Sequence, residues 1–156
     1  MPELPGLVDA YAAGGSDVQR AFLDEFEPLV FGYARSYARG ADAHARAVRQ
    51  THELVLAFHL RACAGRARIA SVPDMKRQAH ELALAKRDGF LAGLADFGDP
   101  ETGAFGPRAP EVGALLQRSL DAAQLDLLEQ ALLGAVPAPS AWLPLKDRLL
   151  RLGVLR

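Results

Sequence analysis

The stretch ADAHARAVRQTHELVLAFHLRAC, residues 41–63, decides the fold class. It reads as one helix from about Ala41 to Cys63, with Val48, Val55, Phe58 and Ala62 among its buried positions. Strands would want more Val, Ile, Thr and aromatics than this, and the whole chain agrees. Ala and Leu dominate its 156 residues, half are hydrophobic, and only 7% are aromatic. The class expected is therefore all-α.

On the N-terminal side, Leu4, Leu7, Val8 and Tyr11 recur at helical spacing, and Gly14-Gly15 ends that first short helix. Ser16 is a natural N-cap for a second helix whose stripe is Val18, Phe22, Phe26, Leu29, Val30, Tyr33 and Tyr37. Pro28 lies inside that stripe and is expected to kink or split it. Gly40 closes the segment.

On the C-terminal side, Gly65 to Ala70 reads as a basic loop, and Ser71 caps a helix with Pro73 in its first turn. Met75, Ala79, Leu82 and Leu84 carry that helix towards Phe90 and Leu94. Residues 96–110 hold three Gly and three Pro without helical period, which marks a linker. Beyond about Glu111 come short helices: a face of Leu115, Leu116 and Leu120, then an Asp121-capped helix with Leu125, Leu128, Leu132 and Leu133, ending at Gly134. Pro137 and Pro139 break the chain, and Ser140 caps a last segment through Leu150. The organisation expected is a helical domain over 1–95, a linker over 96–110 and a small helical unit over 111–156.

The near-zero net charge is unevenly spread. Residues 1–60 carry five basic against eight acidic side chains, residues 61–87 seven against two, and residues 88–156 six against nine. A basic middle between acidic flanks either faces phosphates or an acidic surface, or is an ordinary solvated face. The lone Cys63 excludes an intramolecular disulfide and favours a reducing, cytoplasmic setting. The start Met-Pro-Glu-Leu-Pro lacks a basic region followed by an apolar run, so no signal peptide is expected. No apolar stretch approaches the roughly 20 residues that span a bilayer, so no membrane partner is expected.

Catalytic chemistry finds little support. A zinc-peptidase helix needs His-Glu-x-x-His, but Leu56 stands four after His52 and Leu84 four after His80. His44, His52, His59 and His80 are each expected as surface or boundary residues. His59 lies one turn before Cys63, a pair able to activate a thiolate given a third, orienting group. With none in view, Cys63 reads as a buried structural residue. Gly14-Gly15 lacks the lysine and spacing of a phosphate loop, and no Gly-x-Ser-x-Gly occurs. No catalytic residue, metal or cofactor is expected, and the chain reads as a non-enzyme.

Three stretches resemble the N-terminal helical domain of bacterial sigma factors of the extracytoplasmic-function type. LVDAYAAGGSDVQRAFLDEFEPLVFGYARSY (7–37) is similar to that domain's opening: a short helix, a Gly break, then a longer helix with an aromatic before an acidic pair. ADAHARAVRQTHELVLAFHL (41–60) resembles its polymerase-binding helix, and DMKRQAHELALAKR (74–87) its final helix. In the latter, Arg77, Ala79, Leu82, Ala83, Leu84 and Arg87 match the family's residue types. The resemblance implies a four-helix bundle with Phe22, Phe26, Val30 and Tyr33 in its core. It implies contact through Arg66, Arg68, Lys76, Arg77, Lys86 and Arg87, with RNA polymerase or an anti-sigma protein as partner.

The chain also departs from the family. Its polymerase-binding helix has Ala47, Val48, Arg49, Gln50 and Thr51 where the family has a partly acidic set, and Met75 replaces an aromatic. His80-Glu81 stands for the family's Arg-Asn, which places a negative charge where promoter DNA would lie. A regulator working by protein contacts is therefore the first expectation. A divergent factor that binds promoter DNA and an unrelated helical scaffold or self-associating module are the alternatives.

Overall fold

A computed structural model describes residues 11, 15–67, 72–85 and 108–154. They form six helices and no strand: α1 (Gly15–Tyr37), α2 (Ala43–Cys63), α3 (Val72–Ala85), α4 (Arg108–Ser119), α5 (Ala122–Leu132) and α6 (Pro139–Arg151). None of these is long and apolar enough to cross a membrane.

The decisive feature is α2. All ten residues from Thr51 to Leu60 are buried. A surface helix hides one stripe, whereas one covered all round lies inside. Two cores result. On one side Leu54, Val55, Phe58 and Ala62 meet Phe22, Phe26 and Val30 of α1 and Met75, Ala79 and Leu82 of α3. Phe26 and Phe58 pack with ring centroids 4.5 Å apart, and Phe22 lies 5.3 Å from Phe58. On the other side Leu56, Ala57 and Leu60 meet Leu116 of α4, Leu120 just after it, Leu128 and Leu132 of α5, and Leu145 and Leu149 of α6. Leu133 packs against both. Residues 108–154, read as a small unit of their own, thus build the second core on α2. Each fully buried Leu or Phe contributes roughly 1.5–3 kcal/mol, so covering both sides of α2 is the main source of stability.

Local chemistry sets the ends. At the close of α2 the Gly65 N–H reaches the Ala62 carbonyl (3.0 Å) and the Arg66 N–H the Arg61 carbonyl (2.9 Å), with Gly65 at φ +75°. That is the Schellman arrangement, whose left-handed residue is best served by Gly. Gly134 and Gly153 repeat it after α5 and α6. Asp121 begins α5 with a reciprocal capping box: its carboxylate accepts from the Gln124 N–H while the Gln124 side chain accepts from the Asp121 N–H.

Three details differ from the expectation. Pro28 does not split the helix, since α1 runs continuously through it with the proline ring exposed. The last helix starts at Pro139, with Ala138 rather than Ser140 at the N-cap. Proline at the first helical position has the right φ and no N–H to leave unsatisfied. Leu84 is 58% exposed, because the inward row of α3 is Met75, Ala79 and Leu82 and position 84 falls beside it. The short helix before Gly14 and the extension towards Leu94 lie outside the described residues, as do residues 96–107 of the linker.

The tightest passage lies between α4 and α2. A Cβ added at Gly113 would sit 2.3 Å from the His59 ring, and that ring is fixed by the Tyr11 hydroxyl 2.6 Å from Nδ1. Alanine gains about 1 kcal/mol of helix propensity, but overpacking a fixed ring costs 1–3 kcal/mol, and the clash is severe. Gly113→Ala is expected to destabilise the protein by about 2 kcal/mol in urea unfolding, with most of the loss recovered in a His59→Ala background.

Candidate functional site

Two of the basic residues singled out in the sequence, Arg66 and Arg77, are paired within the molecule. Arg66 hydrogen-bonds Asp126 (2.9 Å) and Glu129 (3.0 Å) of α5. Arg61 joins the same carboxylate at 3.5 Å. The Glu129 side chain is 1% exposed, whereas Arg61 and Arg66 keep about a third and two-fifths of their surface in water. Burial pushes the Glu129 carboxyl up, and the two guanidinium groups pull against it. The function of this cluster is mechanical: it ties the end of α2 to α5.

Arg77 is held by its own helix, between Asp74 and Glu81. The hydrogen bond it donates to Asp74, then that to Glu81, raise its pKa further. Lys76 is exposed on the same helix. Arg68, Lys86 and Arg87 lie outside the described residues. Arg61, Arg66 and Arg77 do converge on a cleft of about 390 Å³ that also presents Gln78 and Glu81, floored by Phe58 and Leu82. With Glu81 in the wall and Glu129, Asp126 and Asp74 on the arginines, the charges there are matched internally.

The histidines divide. His44 is exposed, edge-on to Phe31. His80 is half-buried, while His52 and His59, expected at the surface or boundary, are 5% and 1% exposed. Both lie in the enclosed stretch 51–60 of α2, whereas His44 stands exposed in its first turn. Among the described residues no group of three or more His, Cys, Asp or Glu is placed to hold a metal.

His59 has the orienting partner that sequence spacing could not disclose, since Tyr11 is 48 residues away. Its Nε2 lies 3.7 Å from the Cys63 Sγ, and Gln19 reaches both the Tyr11 carbonyl (3.1 Å) and the sulfur (4.0 Å). Cys63 is half-buried and lines a second cleft of about 410 Å³ with Leu60, Gln117 and Leu125. Burial pushes the thiol pKa up and the His59 pKa down to about 4. Both groups are therefore neutral at pH 7, the opposite of a thiolate–imidazolium pair.

A different face carries exposed aromatic and aliphatic side chains. Tyr37 at the end of α1 is 49% exposed, and its hydroxyl lies 2.6 Å from His80 Nε2 on α3. The two rings are nearly parallel at 6°, and Tyr33 stacks on the His80 ring at 4.6 Å. Leu84 follows one turn after His80, and Arg77 precedes it by three residues. The sequence signal was the end of the α1 stripe: Tyr37 continues its period past the point where α3 covers it.

Compared with protein families, with curated proteins and with solved structures, the chain matches none.

One buried acid sets a pH dependence. Glu27 on α1 is 6% exposed, and burial, then the nearby Asp24 charge, raise its pKa from 4.5 to about 8. Between those values the folded chain holds a proton that the unfolded chain has lost, so stability falls as pH rises. His59 acts oppositely between about 4 and 6.5, where the unfolded chain binds the proton first and stability rises with pH. Above pH 6.5 the His59 contribution is complete and that of Glu27 continues. Urea unfolding is expected to show a loss of up to about 2 kcal/mol from pH 6.5 to 8 that is clearly smaller in Glu27→Gln.

Proposed function

We propose that this protein is a non-catalytic binding module that docks a protein partner through the outer face of α3 and the end of α1. The observation that carries the reading is the contiguous set Tyr37, His80 and Leu84 beside a fully paired Arg77. Protein contact sites draw their energy from a few aromatic, aliphatic and Arg side chains held rigidly, and the ring stack on His80 provides that rigidity. Phosphate binding draws on unpaired cations. Here the exposed Glu81 shares Arg77, which favours a protein surface over DNA. The neutral Cys63–His59 pair supports a role without nucleophilic chemistry.

The partner class follows from the resemblance of residues 7–37, 41–60 and 74–87 to sigma factors of the extracytoplasmic-function type. On that reading the chain carries a sigma-like N-terminal helical bundle and regulates transcription by contacting RNA polymerase or an anti-sigma protein. A divergent factor acting on promoter DNA is the competing outcome, for which the Tyr33–His80 stack would serve as a base platform.

Two binding assays separate the readings. The full-length protein is expected to bind purified bacterial core RNA polymerase, or an anti-sigma protein from the same host, and Leu84→Asp is expected to weaken that binding at least tenfold while leaving the fold unchanged. Filter binding to promoter fragments at low salt is expected to show no affinity. Binding to DNA that falls steeply with added salt, without binding to either protein, contradicts the proposal.

A further inference from the structure

α6 has two apolar sides, and among the described residues only one is packed against a core. Leu145 and Leu149 are fully buried and Trp142 half-buried against the second core. Leu143 and Leu150 are 61% and 43% exposed. They are seven residues apart, two turns of one face, and Lys146 and Asp147 lie between them on that same face. The outward stripe therefore reads Leu, Lys-Asp, Leu. It is symmetric in its apolar ends and opposite in charge at its centre.

That pattern is complementary to itself in one orientation. Two such helices laid antiparallel, with Leu143 of one against Leu150 of the second copy, bring Lys146 against Asp147 at the same time, and the two-fold axis repeats the contact. Parallel pairing would set lysine on lysine and aspartate on aspartate. Asp147 bonds Arg151 of its own helix through Oδ2 at 3.2 Å, which leaves Oδ1 for the lysine. We propose that α6 is a self-association surface, joining two copies of this chain antiparallel about a two-fold axis between Lys146 and Asp147.

An isologous contact of this kind closes on itself and stops at the dimer. A 13-residue helix offers less than the roughly 800 Å² per partner of a stable interface, so the dimer is weak, with a dissociation constant on the order of 100 µM. The inference stands apart from the reading of the α1–α3 face, because it concerns another helix and another partner.

Charge exchange tests it. Lys146→Asp alone sets aspartate against aspartate, and Asp147→Lys alone sets lysine against lysine. Sedimentation velocity from 10 µM to 1 mM is expected to show a monomer–dimer equilibrium for the natural chain and monomers for each variant by itself. An equimolar mixture of the two variants restores every opposite-charge contact, so the dimer is expected to return. Circular dichroism and Trp142 fluorescence check that both variants keep the fold. A natural chain that is monomeric at 1 mM overturns the proposal. So do variants that dimerise like the natural chain, or a mixture that remains monomeric.

Discussion

A helix that must be covered on every side constrains the rest of this molecule. From Thr51 to Leu60, α2 leaves no position for water, so two separate groups of helices are needed to hide that stretch. α1 and α3 supply the aromatic side around Phe22, Phe26 and Phe58. α4, α5 and α6 supply the leucine side around Leu56 and Leu60. Neither side suffices alone, because each leaves the other's half of α2 in water, at roughly 1.5–3 kcal/mol for each large side chain exposed.

The polar groups of α2 make sense in the same terms. His59 is held by Tyr11 and faces Gly113 of α4, where a Cβ would meet its ring. Arg61 and the following Arg66 close on Glu129, so the last turn of α2 is fastened to α5 by charge as well as by leucines. A buried carboxylate between two partly solvated guanidiniums adds little net stability but strongly fixes how the elements meet. Among the described basic residues between 61 and 87, Arg61, Arg66 and Arg77 are paired within the molecule and Lys76 is exposed. The exposed large hydrophobics among the described residues include Tyr37 and Leu84 beside His80, and Leu143 and Leu150 on α6.

Much of the fold was legible because helix punctuation is local. Asp121 with Gln124, and Gly65, Gly134 and Gly153, act on neighbours a few residues away. Burial is not local, and the two similar hexapeptides make the point. HELVLA at 52–57 is buried throughout, whereas HELALA at 80–85 buries Leu82 and exposes Glu81 and Leu84. The difference lies in what packs around each, α2 being enclosed and α3 lying at the edge. The candidate site was harder still. The pairings of Arg66 with Glu129, and of Tyr11 with His59, span 63 and 48 residues, beyond any spacing rule.

The central claim is that α2 makes its two sides one cooperative unit. The only tryptophan, Trp142, sits on α6 and reports the leucine side, while far-ultraviolet circular dichroism reports all the helices. Equilibrium urea unfolding followed by both signals on one sample is the direct test. Superimposable transitions with one midpoint and one slope are the predicted result. A tryptophan transition at clearly lower urea, with most of the helical signal intact, would contradict it.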